Sequence, residues 1–167
     1  PSIILQQAAL TIHTASQLNT ENSDKFDNLI NASITFWNRR AIRYGAFEEY
    51  YPWEKGYPPL AFSTLAMIIL IKERSLNPSL VREGFSKAAD QLKKRFENEA
   101  ANQQIAGLAA LAHIKNLFPG LVSMSEFEEL TKKSLALQNN EGWFYEYGGP
   151  DLGYLSVTID CLWDLFD

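Results

Sequence analysis

Residues 45–57 read GAFEEYYPWEKGY and residues 142–154 read GWFYEYGGPDLGY, and these two segments decide how the chain folds. Gly45, Phe47, Glu49, Tyr50, Glu54, Gly56 and Tyr57 recur as Gly142, Phe144, Glu146, Tyr147, Asp151, Gly153 and Tyr154. The offset is a constant 97 residues, with a single Glu/Asp exchange. A match held in register over this many positions marks an internal repeat, which means that one supersecondary unit is used twice.

Outward from these loops, apolar residues spaced three to four apart predict seven helices and no strand. Ile4, Leu5, Ala8, Ala9, Ile12, Ala15 and Leu18 form the first stripe. Phe26, Leu29, Ile30, Ile34 and Trp37 form the second, with Ser23 as its expected cap. The third helix starts near Tyr57, with Pro58 and Pro59 in a first turn whose N–H groups have no helical partner. Asn77-Pro78 is expected to cap the fourth, whose stripe runs from Val81 to Phe96. The fifth spans about Ala101 to Leu117 and stops at Phe118-Pro119-Gly120. Ser123 with Glu126 makes a capping box for the sixth, and the seventh begins near Gly153.

The second, fourth and sixth helices are amphipathic, whereas the third, fifth and seventh carry few charges and need cover on several sides. Charged outer helix, loop, apolar inner helix, repeating about every 48 residues, is the pattern of an all-α fold. Its repeated helical hairpins form a partial α/α toroid or an open helical arc.

Composition narrows the function classes. With 46% hydrophobic residues over 167 positions, residues 1–167 form one helical-hairpin domain with a sizeable core. The apolar run from Leu60 to Ile71 is too short to span a bilayer, so no membrane partner is expected. A net charge of −5 without a run of Lys or Arg argues against nucleic acid, the small group Arg39, Arg40 and Arg43 apart. Cys161 is the single cysteine, which excludes an internal disulfide and leaves the compartment open. Pro1 stands where an initiator Met would, and the last apolar stripe ends without a stop signal. The chain is therefore expected to be a piece of a longer toroid or multidomain chain, completed by its remainder or by a second subunit.

Gln138-Asn139-Asn140-Glu141-Gly142-Trp143 resembles the Gln-containing turn ending in Gly and Trp of α/α-toroid proteins, including terpenoid cyclases and protein prenyltransferases, with one residue fewer between Gly and Trp. The loops around Glu49-Tyr50 and Glu146-Tyr147 are similar to those of toroids that act on polysaccharides, the heparinase II/III-like lyases and six-hairpin glycosidases. The resemblance implies a ring of hairpins with a central cleft, of which a full six would need about 290 residues. It also implies that both loops lie at one mouth, facing the N-termini of the inner helices.

Acids beside aromatic rings suit a sugar: rings stack on the apolar faces of pyranoses while carboxylates accept hydroxyl hydrogen bonds. Glu49, Glu146, Asp151 and Tyr147 are the candidate catalytic groups. Tyr50, Trp53, Glu54, Tyr57, Trp143 and Tyr154 are the candidate substrate-binding ones. A glycoside hydrolase would pair Glu49 or Glu54 with Glu146 or Asp151, one kept protonated. A lyase acting on uronic acids would use Tyr50 or Tyr147 with His113 and Arg43.

The structural alternative is that Gly turns the loop, the aromatic plugs the core and the acid caps the next helix. His113 reads as a packed residue of an apolar helix and His13 as exposed. Two His and one Cys make no zinc constellation, and no metal or cofactor is expected. The expected function is thus binding or processing of an oligosaccharide or polysaccharide. The rivals are a helical scaffold for a peptide or protein, and a terpenoid-cyclase-like lipophilic cavity.

Overall fold

The apolar stripes become helices, and their ends obey local chemistry. A computed structural model describes residues 7–18, 22–45, 47–49, 51 and 54–165. These hold seven α-helices: α1 (Ala8–Leu18), α2 (Ser23–Tyr44), α3 (Tyr57–Glu73), α4 (Arg82–Lys94), α5 (Ala101–Leu117), α6 (Met124–Leu135) and α7 (Leu152–Trp163). Among the described residues there is no strand, only isolated bridge pairs in the loops. No helix among them is long and apolar enough to cross a membrane.

The capping box at α6 forms as expected: Ser123 Oγ accepts the Glu126 N–H and the Glu126 carboxylate accepts the Ser123 N–H at 2.9 Å. Two caps differ. Ser23 is the first residue of α2, and Asn22 holds the cap position without a side-chain bond. Asn77 accepts the Ser79 N–H at 3.0 Å and so opens a 3-10 turn, Pro78–Leu80, which delays α4 to Arg82. Phe96 falls beyond α4 and is largely exposed.

Core packing centres on α3 and α5, each buried on nearly every side as their low charge requires. α5 packs on α3, α4, α6 and α7; α3 also meets α1 and α4, and α2 packs on α1 and α4. An aromatic series locks the other side: Phe85 lies 4.6 Å from Trp37 and 5.4 Å from Phe118, ring centre to ring centre. Burial of each such ring contributes roughly 1.5–3 kcal/mol. Trp37 also donates its indole N–H to Ser63 Oγ at 3.0 Å, so these two buried polar groups of α2 and α3 satisfy each other.

A second buried knot surrounds Gln104 on α5. Its Oε1 accepts the Tyr57 hydroxyl (3.1 Å) and the Glu97 N–H (2.9 Å), and its Nε2 donates to Ser134 Oγ (2.9 Å). α3, α5, α6 and the segment before α5 are thereby tied at one point. α7 departs from the expectation of an inner helix covered on several sides. Thr158 and Cys161 are buried against the core, but Leu152, Ile159 and Trp163 form an exposed stripe.

Candidate functional site

The two copies of the repeat start alike and then diverge. Gly45 (φ 58°) and Gly142 (φ 96°) both take the left-handed conformation that a side chain disfavours. Phe47 and Phe144 both plug the core. After the Glu the register slips, because α3 begins at Tyr57 whereas α7 begins two residues before Tyr154. Gly56 is the cap residue of α3, while its counterpart Gly153 lies inside α7 and Asp151 takes the cap, accepting the Tyr154 N–H at 2.9 Å. Tyr57 consequently faces the core, where burial raises its phenol pKa against the pull of Arg95. Tyr154 stays exposed.

Glu146 caps α5, two helices back along the chain, and not α7, which follows its loop. The loop lays its backbone beside the start of α5: the Ala101 N–H donates to the Tyr145 carbonyl at 3.1 Å, and Glu146 Oε1 accepts the Asn102 N–H at 2.7 Å. Unpaired amides at a helix N-terminus attract such a carboxylate. The side chain is 5% exposed, and its Oε2 is buried without a hydrogen bond of sound geometry. Thr158 stands near, but its hydroxyl directs its one proton to the Tyr154 carbonyl at 3.1 Å. Burial therefore raises the Glu146 pKa, the Asn102 N–H opposes, and the Asp151 charge adds to the rise.

The loops do converge. A hollow of about 490 Å³ opens where Glu49 of the first copy meets Tyr147 and Tyr154 of the second. Two buried helices line it with their first two turns, Pro58 and Phe62 of α3 and Asn102 and Gln103 of α5. Tyr147 and Tyr154 meet edge to face, 6.0 Å apart, and the Gln103 amide donates to the Tyr147 hydroxyl at 3.0 Å. Tyr147 adopts φ 50°, a left-handed backbone costing about 1–2 kcal/mol for a non-glycine residue. Its N–H bond to the Glu99 carbonyl holds it there. Asn102 is 3% exposed, and its Oδ1, like Glu146 Oε2, is a buried acceptor without a partner.

Other candidates lie elsewhere. Glu54 accepts the Tyr51 N–H at 3.3 Å within its own loop, and Tyr50 and Trp53 fall outside the described residues. Trp143 packs edge-on against Tyr145, and its indole donates to Glu141 at 2.9 Å, away from the hollow. The grouping of Tyr147 with His113 and Arg43 is not assembled. His113 sits about 16 Å along α5 from Asn102 at 1.5 Å per residue, receiving Lys72 Nζ at 3.0 Å. Arg43 lies over the Tyr44 ring. Of the basic group, Arg40 is engaged by Glu48 at 3.1 Å.

His13 is buried, not exposed, because Arg74 folds over it (3.4 Å) while pairing with Asp27 at 2.7 Å. Among the described residues no three His, Cys, Asp or Glu side chains cluster closely enough to hold a metal ion. Asn102 and Gln103 were not legible as site residues, since they open a helix whose composition speaks only of burial.

No protein-family model, curated protein or solved structure matches this chain.

Proposed function

We propose that the hollow binds a neutral oligosaccharide, at the mouth of an open arc of helical hairpins. One observation carries the reading: both copies of the repeat contribute to a single hollow that joins two tyrosine rings to a carboxylate and three side-chain amides. Rings offer stacking surface and the amides and carboxylate offer hydrogen bonds, the combination that sugar hydroxyls and C–H faces require. Among the described residues that line it there is no Lys, Arg or His, so an anionic uronate would find no counter-charge there. That disfavours the lyase reading. Burial of Glu146 and the capping role of Asp151 leave binding as the stronger reading over hydrolysis, because neither acid is free to meet a glycosidic oxygen.

The arc is supported by neighbour order: α1, α3, α5 and α7 touch in succession, and α2 meets α4 behind them. On this reading the exposed stripe Leu152, Ile159 and Trp163 is where a further hairpin or second subunit packs. Titration calorimetry with neutral maltooligosaccharides tests the site. Tyr147→Ala should weaken binding at least tenfold, as loss of a stacking ring does. Absence of binding across a panel of neutral oligosaccharides, or unchanged affinity in the variant, overturns the reading.

A further inference from the structure

The hollow does not end at the tyrosines. Gln7 and Phe62 also border a second hollow of about 290 Å³, so the two adjoin. This lower trough lies between α1 and α7 over α3. Three helices line it at helical spacing: Leu10 on α1, Leu65, Ala66 and Ile69 on α3, and Val157 with Cys161 on α7. All three run the same way from the rim, since Gln7, Pro58 and Tyr154 are near the starts of α1, α3 and α7. From Pro58 to Ile69 is about 16 Å at 1.5 Å per residue. That length accommodates an extended alkyl chain of about ten carbons.

Chemistry changes along this path. At the rim stand Glu49, Asn102, Gln103 and the tyrosines. Below Phe62 the walls are mostly apolar, with Thr11 as a polar exception, and the charged residues described there, Asp160 and Asp164, are acidic. We infer that the adjoining hollows take an amphiphile with a neutral, hydroxyl-rich head and a single alkyl chain: the head at the tyrosine rim, the chain in the α1–α3–α7 trough. The carboxylate and side-chain amides of the rim suit a head that donates hydrogen bonds, since their oxygens accept them. Acid-only borders select against an anionic head. The apolar trough favours a chain, each buried methylene contributing about 0.8 kcal/mol.

The inference rests on the sugar-binding reading of the rim, and the test separates the two. Maltose, decyl maltoside below its micelle threshold, and decanoate are titrated into the whole chain by calorimetry. Decyl maltoside should bind at least tenfold more tightly than maltose, and decanoate far more weakly than decyl maltoside. Val157→Glu and Ile69→Glu, each checked for unchanged helicity and melting, should erase the gain from the chain and leave maltose affinity as it was. Ala66→Leu, which fills the trough without adding charge, should do the same.

Equal affinity for maltose and decyl maltoside overturns the amphiphile and leaves the sugar rim standing. Decanoate binding as tightly as decyl maltoside overturns the head selection. A decyl maltoside gain that survives all three variants shows the chain lying elsewhere. Failure of both maltose and decyl maltoside to bind removes the rim reading as well.

Discussion

At the residue scale, Glu146 shows how one carboxyl couples fold and site. The repeat made this acid conspicuous in the sequence, but its role depends on which helix end the loop approaches, and that is a tertiary fact. Its charge is held in a buried position with one oxygen on the Asn102 N–H and the other without a partner. A carboxyl whose folded pKa lies above its unfolded value binds its proton more tightly when folded. Stability therefore falls as pH rises through the interval above the ordinary value of 4.5. Glu146→Gln keeps an acceptor for Asn102, removes the charge, and lets the amide donate to the Thr158 oxygen. The variant should melt with the wild type near pH 4 and a few degrees above it at pH 7.5. Thermal denaturation at the two pH values checks this; an equal gap at both, or a lower melting point at pH 7.5, refutes the role given to burial.

Elements were the most legible level. Periodicity alone recovers all seven helices because each stripe runs for two or more turns, and the Ser123–Glu126 box, being local, forms as written. The register slip that buries Tyr57 and exposes Tyr154 was not legible, since it depends on where Asp151 captures an amide. Nor was the contact between α3 and α5 at Gly107. A methyl group there would run into the Tyr57 hydroxyl and come within 3.2 Å of Leu92 Cδ2. Glycine costs a helix interior about 1 kcal/mol relative to alanine, so on propensity alone Gly107→Ala should stabilise α5. Packing should win instead, with overpacking of a tight core site costing about 1–3 kcal/mol. The clash is with an oxygen, so in a Tyr57→Phe background the same substitution should cost less. A double-mutant cycle by denaturant unfolding measures the coupling; additive effects would place the strain somewhere other than this contact.

For the whole molecule, the repeat and the packing make opposite predictions about unfolding. Two copies 97 residues apart suggest two halves that melt separately. The contacts cross that division. α5 is buried along its length against helices from both sides of it, Gln104 joins α3 to α6, and Phe85 of α4 bridges Trp37 of α2 and Phe118 after α5. No surface separates the copies without cutting the core, whereas independent units need cores of their own. Calorimetry should therefore give one transition whose calorimetric and van't Hoff enthalpies agree. The enthalpy should be on the order of 120 kcal/mol, at about 0.7 kcal/mol per residue. α6, which packs chiefly on α5, should lose hydrogen-exchange protection before the rest. Two resolved transitions, or a van't Hoff enthalpy near half the calorimetric one, would mean that each copy holds its own core. The shared hollow would then lie between two units free to part, and its geometry would not be fixed by the fold.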